Sequence, residues 1–160
     1  MPKRSAALLL YRFPVGVGLE VLIAHMGGPF WAKKDARAWS IPKGEHEEDE
    51  DPRSAAFREF EEEMGSPPPV GQVIELGETR QASGKIITTY AVQGDFDAAK
   101  IRSNTFEMEW PRGSGKIQEF PEMDRAEWMS LERAGEMLVK GQVPILAVLA
   151  DRLRANGNPG

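Results

Sequence analysis

The chain contains no cysteine, which excludes a disulfide framework and a thiolate zinc site. Its only histidines, His25 and His46, lack the spacing of an imidazole metal site, and His25 reads as a structural residue at a strand end. No apolar run reaches the length of a membrane span. Ala6 to Tyr11 is too short, and no small-residue cleavage site accompanies it, so a cytoplasmic location without a membrane partner is expected. Positive charge is also scarce. Lys and Arg total 20 against 25 Asp and Glu, and the net charge of −5 speaks against a general nucleic-acid binder. The expected partner is a small molecule and no nucleic acid, with the protein a monomer or homodimer. A length of 160 residues at 41% hydrophobic content predicts one domain with a real core over residues 1–155 and a frayed tail at 156–160.

What the chain does have is acid concentrated in one place. Gly44 to Ser66 reads GEHEEDEDPRSAAFREFEEEMGS. Asp51 is a good N-cap, and Pro52 suits the first helical position because its missing N–H has no intrahelical partner there. No breaker follows until Gly65, a natural C′ residue, and Pro67-Pro68-Pro69 prevents continuation. A helix over 52–64 is predicted. At about 100° per residue, Glu59, Glu62 and Glu63 share one face, while Phe57, Phe60 and Met64 form the buried one and Glu61 is solvated. Like charges at Glu59 and Glu63 destabilise a bare helix by about 0.2–0.5 kcal/mol. They also lie near its C-terminal end, where the helix dipole disfavours anions. The face is either a solvated acidic surface or a seat for a hard divalent cation, which takes several oxygen ligands and engages phosphates as well.

The spacing is more specific than the helix. Gly44, five residues, Glu50, seven residues, then Arg58-Glu59-Phe60-x-Glu62-Glu63-x-Gly65 resembles the signature of the Nudix hydrolases. Phe60 stands where an aliphatic residue is usual, and Ser66 is polar at the last apolar position. The resemblance implies an α+β Nudix fold, with a mixed β-sheet packed between helices as an α/β/α sandwich. It implies a metal-dependent hydrolase of a pyrophosphate bond in a nucleoside diphosphate-linked compound. It further implies Mg2+ or Mn2+ on Glu59, Glu62 and Glu63, with the backbone carbonyl of Lys43 as one more oxygen. Arg58 would orient the carboxylates, Glu50 would brace the loop by pairing with Arg58, Gly44 would permit a tight turn, and Gly65 would end the helix. The general base would be Glu62 or Glu63, or else a downstream residue in the loop 118–125, with Glu122 first, also reaching the metals, and Glu119 second. A nucleotide-sensing module tends to lose box carboxylates, whereas all three stand here.

The remaining segments read as strands at Ser5–Arg12, Leu19–His25, Val70–Glu78, Ile86–Val92, Thr105–Trp110 and Glu127–Ser130. Leu131–Lys140 and Val143–Ala155 read as helices. Trp39 to Gly44, with the spacing from Glu122 to Trp128, is similar to the diadenosine polyphosphate hydrolase branch of the family. A dinucleoside polyphosphate or nucleoside triphosphate is therefore the expected substrate, with ADP-ribose and nucleotide sugars as alternatives. Lys43 and Lys34 would contact phosphates, and Trp31, Trp39 or Tyr90 would stack on a base.

Overall fold

Strand β1 (Arg4–Arg12) is buried at every interior position, and such a strand must be covered on both faces. In the computed structural model, which describes residues 3–157, this strand organises the layers. Ala7, Leu9 and Tyr11 enter one core and Ala6, Leu8 and Leu10 the other, because successive side chains alternate across a strand. Helix α1 (Pro52–Met64) covers the second core with Ala55, Ala56, Phe60 and Met64. Helices α2 (Leu131–Met137) and α3 (Val143–Ala155) cover the first with Ala134, Ile145, Leu146, Leu149 and Leu153. The result is the expected α+β sandwich with a mixed sheet between helices.

The sheet opens where the site will form. Strand β2 (Glu20–Met26) pairs with β1 antiparallel at Tyr11–Val21 and Arg12–Glu20, and the two strands then part. The opening is filled by β3 (Trp39–Ser40) against β2 and by β4 (Lys43–Glu45) against Ser5–Ala7 of β1. On its other edge β1 runs parallel to β6 (Ile86–Gln93), which pairs with the edge strand β5 (Val73–Arg80). A separate hairpin, β7 (Thr105–Glu109) with β8 (Ile117–Pro121), precedes β9 (Met123–Ser130), which returns to pair with β2. No helix among the described residues is long and apolar enough to cross a membrane.

Helix α1 has its predicted limits. Asp51 accepts the Ser54 N–H at 3.2 Å, and Gly65 leaves the helix at φ 83°, a conformation that disfavours a side chain. Phe57, expected in the core, is half-buried instead. Ala55 and Ala56 bring the helix backbone close to the sheet, and the buried side then includes Glu63. Helix α2 stops at Met137 rather than Lys140. Leu138 is drawn into the core beside Trp39, and the Val139 N–H donates to the Trp39 carbonyl at 2.9 Å. Residues 118–125, expected as a loop, are mostly strand: the end of β8 and the start of β9. In the tail expected to fray, Asn156 and Gly157 extend the last turn through backbone bonds to Arg152 and Arg154. Asn158, Pro159 and Gly160 lie outside the described residues.

Candidate active site

Alternate residues of β4 bond to β1. Pro42 accepts the Leu8 N–H and the His46 N–H donates to Arg4, so Lys43 is out of phase with this ladder. Its N–H turns the other way and donates to Glu63 Oε1 at 3.0 Å. The same parity turns its carbonyl toward α1. Gly44, the next residue, takes no left-handed conformation, but a Cβ there would lie 2.0 Å from the carboxyl carbon of Glu59. This corrects the expected tight turn: the glycine makes room for a carboxylate. From outside, Arg58 Nη2 reaches Glu59 Oε1 at 3.4 Å and Glu50 Oε2 at 3.2 Å, clamping the two acids.

Glu59, Glu63 and Glu122 line a cleft of about 690 Å3 together with Lys43 and Lys85. Glu62 sits across Glu59 in an adjoining groove of about 480 Å3, with Glu50 and Arg58. Glu122 arrives at the junction of β8 and β9. Its N–H donates to Asn104 and its carbonyl accepts the Gly27 N–H, both at 2.8 Å, so its backbone is held from two sides.

The electrostatics of the cleft are unbalanced. Burial pushes the Glu63 carboxyl up to about 8; the charges of Glu122 and Glu59 add to the rise, while the Lys43 N–H and ammonium oppose it. Glu59 is raised by burial and then by Glu62, and Lys43 is lowered by burial and then by Lys85. With acids raised and the amine lowered, burial outweighs the attraction between Glu63 and Lys43. Ser5 is wholly buried in the cleft wall, and its Oγ has no hydrogen-bond partner among the described residues. Hard anionic oxygens and half-buried ammonium groups in one cleft fit a divalent cation and the phosphates it accompanies. Among the described residues no three Asp, Glu or His side chains stand close enough to enclose a cation as placed, so the glutamates must rotate inward to do so.

The family model described as NUDIX domain matches residues 1–149. The chain belongs to the Nudix family. It is 41% identical over 80 residues to an RNA pyrophosphohydrolase of Rhodospirillum rubrum, a match covering 49% of this chain and 44% of that protein. To an RNA pyrophosphohydrolase of Hahella chejuensis it is 37% identical over 65 residues, covering 40% of this chain and 38% of the relative. The chain thus matches less than half the length of these curated relatives. Among solved structures, the NUDIX domain of Shewanella oneidensis NrtR complexed with ADP ribose superposes with a TM-score of 0.65 at 17% identity, covering 96% of this chain and 89% of that one. A C. elegans Ap4A hydrolase superposes with 0.62 at 20% identity, covering 94% and 98%. At these identities the likeness is one of fold.

Several residues singled out from the sequence do not reach the Nudix cleft. Trp39 is wholly buried, with Nε1 donating to Asp35 at 3.0 Å. Tyr90 lies in the α1 core beside Leu8 and Phe60. Neither offers a free face to a base, because each completes a core that its own strand must bury. Lys34 stands outside the cleft, its ammonium 3.6 Å over the Phe30 ring. Glu119 is exposed on β8. His25 is structural as expected: it is wholly buried, with Nδ1 2.8 Å from Asp124 and Nε2 2.6 Å from the Lys34 carbonyl.

Other cleft residues carried no local signal. Lys85 follows the turn at Gly84 and enters because β6 starts beside the start of β1. Phe106 also lines the cleft, and so does Trp31, the one candidate for stacking on a base that the structure does bring there. Gln142 did leave a trace, as a polar residue between Leu138 and the apolar run of α3. It is buried, with Oε1 accepting the Ile41 N–H at 2.8 Å and Nε2 donating to Ser40 Oγ at 2.9 Å.

Proposed function

We propose that this Nudix protein is a metal-dependent pyrophosphohydrolase acting on a 5′-polyphosphorylated nucleotide, free or at the 5′ end of an RNA. The observation that carries this is the single cleft in which Glu59, Glu63 and Glu122 face Lys43 and Lys85. The RNA end enters from the names of the curated relatives, and it revises the expectation of a free small molecule drawn from the net charge of −5. Net charge averages over the whole surface, whereas a 5′ end needs cations only where its terminal phosphates lie. A dinucleoside polyphosphate shares that chemistry and stays in the comparison.

Glu59, Glu62, Glu63, Glu122 and the Lys43 carbonyl would hold Mg2+ or Mn2+. A bound divalent cation neutralises phosphate charge and eases deprotonation of the attacking water. The protein's own groups do the rest. Lys43 and Lys85 take phosphate oxygens as point charges. Arg58 keeps Glu59 in place through Nη2, which it shares between Glu59 and Glu50. Glu122, held at both its backbone N–H and carbonyl, accepts the water proton as the P–O bridge bond breaks and the leaving phosphate departs.

The test is a hydrolysis panel with product identification, with and without magnesium or manganese. It spans 5′-triphosphorylated RNA, nucleoside triphosphates, diadenosine tetraphosphate, ADP-ribose and a nucleotide sugar. Metal-dependent release of pyrophosphate or phosphate from a 5′-triphosphate is expected. Turnover of ADP-ribose or the sugar alone would overturn the substrate, and no turnover in any arm would overturn the hydrolase.

A further inference from the structure

The hairpin β7–β8 carries an apolar stripe that the catalytic reading does not use. Phe106, Met108 and Trp110 alternate with exposed Thr105, Glu107 and Glu109, so all three lie on one half-buried face. The stripe begins inside the catalytic cleft, where Phe106 stands with Trp31 and Glu122. It ends in a separate apolar slot of about 340 Å3 lined by Phe30, Met108, Trp110 and Arg112. The 27–31 turn packs directly on the hairpin. A Cβ on Gly27 would lie 2.0 Å from the Pro121 carbonyl oxygen, and one on Gly28 would lie 2.8 Å from the Phe106 ring. Phe30, at 58% exposure, is thereby held as the facing wall of the slot.

The geometry points to this slot as the seat of the nucleobase, a statement that rests on the polyphosphate reading of the neighbouring cleft. Phe106 to Trp110 spans about 13 Å of strand, comparable to the reach from the terminal phosphate to the base of an extended nucleoside triphosphate. Two aromatic side chains and a thioether offer flat, polarisable surface to a planar heterocycle. Cations sit at the rim. Arg112 lines the slot, and the Lys34 ammonium lies 3.6 Å over Phe30, so positive charge accompanies the path from phosphates to base. An aliphatic or acyl group would use the apolar surface but gain nothing from those charges.

The test is binding rather than turnover, on the full chain with magnesium, using a non-hydrolysable ATP analogue against inorganic tripolyphosphate, which has no base. The wild type binds the analogue roughly tenfold or more tightly than tripolyphosphate, the scale of one base stacked on an aromatic ring. Trp110→Ala and Phe30→Ala, on separate elements, each collapse that ratio, and Trp110→Phe retains most of it. A wild type without the preference, or alanine variants that keep it while folded by circular dichroism, would overturn the assignment. Repeating the ratio with a 5′-triphosphorylated oligonucleotide shows whether the base of an RNA end uses the same slot. The collapse observed in a protein that hydrolyses no nucleotide sinks the hydrolase reading alone. Hydrolysis with the ratio intact in both alanine variants sinks only the slot.

Discussion

The Glu63 carboxylate accepts the Lys43 backbone N–H at 3.0 Å, which ties helix α1 to the strand bearing a half-buried ammonium of the cleft. The bond stabilises the ionised carboxylate, yet burial still pushes the group up to about 8 from its ordinary 4.5. The folded protein therefore binds this proton more tightly than the unfolded chain. In chelator, stability contributed by protonated Glu63 is complete below about pH 4.5 and is lost as pH rises toward about 8. Urea denaturation across that range should show stability falling, with Glu63→Gln removing this part of the slope. Parallel curves for the two proteins would rule it out.

Gly44→Ala tests the space made for Glu59. The backbone there tolerates a side chain, but a methyl group would sit 2.0 Å from the Glu59 carboxyl carbon. The expected outcome is a loss of turnover of roughly a hundredfold or more with a native circular dichroism spectrum, because a catalytic group moved by about 1 Å loses on that scale. Normal activity in the variant would mean that the Glu59 carboxylate swings clear of the methyl group and still reaches its working position.

Glu122→Gln and Glu119→Gln separate the two candidate bases. Glu122 lines the cleft with Glu63 and Lys43, whereas Glu119 is exposed on the hairpin. Loss of a general base lowers kcat by about 10²–10⁴-fold, expected for Glu122→Gln alone. An equal effect of both changes, or none from Glu122→Gln, would move the base back to the helix glutamates.

Gln142→Leu probes how the C-terminal segment supports the cleft. The change leaves the Ile41 N–H without its partner in a buried setting, while the Ser40 hydroxyl keeps its bond to the Ile41 carbonyl at 2.8 Å. A cost of about 1–3 kcal/mol in urea denaturation is expected, the usual penalty for buried groups left unpaired. A neutral effect would show that water replaces the amide.

Helix α1 was legible because its determinants are local. The Asp51 cap and the Gly65 exit depend on residues within a few turns of one another, whereas the helical wheel did not reveal that Glu63 is buried while Glu62 opens to an adjoining groove. The apolar strand β1 likewise announced a sheet covered on both sides. What the amino-acid order could not settle was which distant residues meet. Trp39 and Tyr90 were plausible base platforms by type, and only the packing of α1 and α3 on the two sheet faces showed both to be core. Lys85 gained its place from the parallel pairing of β1 with β6, Glu122 from the return of β9 onto β2, and the slot at Phe30 and Trp110 from a turn docking on a hairpin. Local order sets caps, periodicity and helix faces because those are short-range preferences of the backbone. The cleft is decided by long-range strand pairing, whose register no single segment encodes.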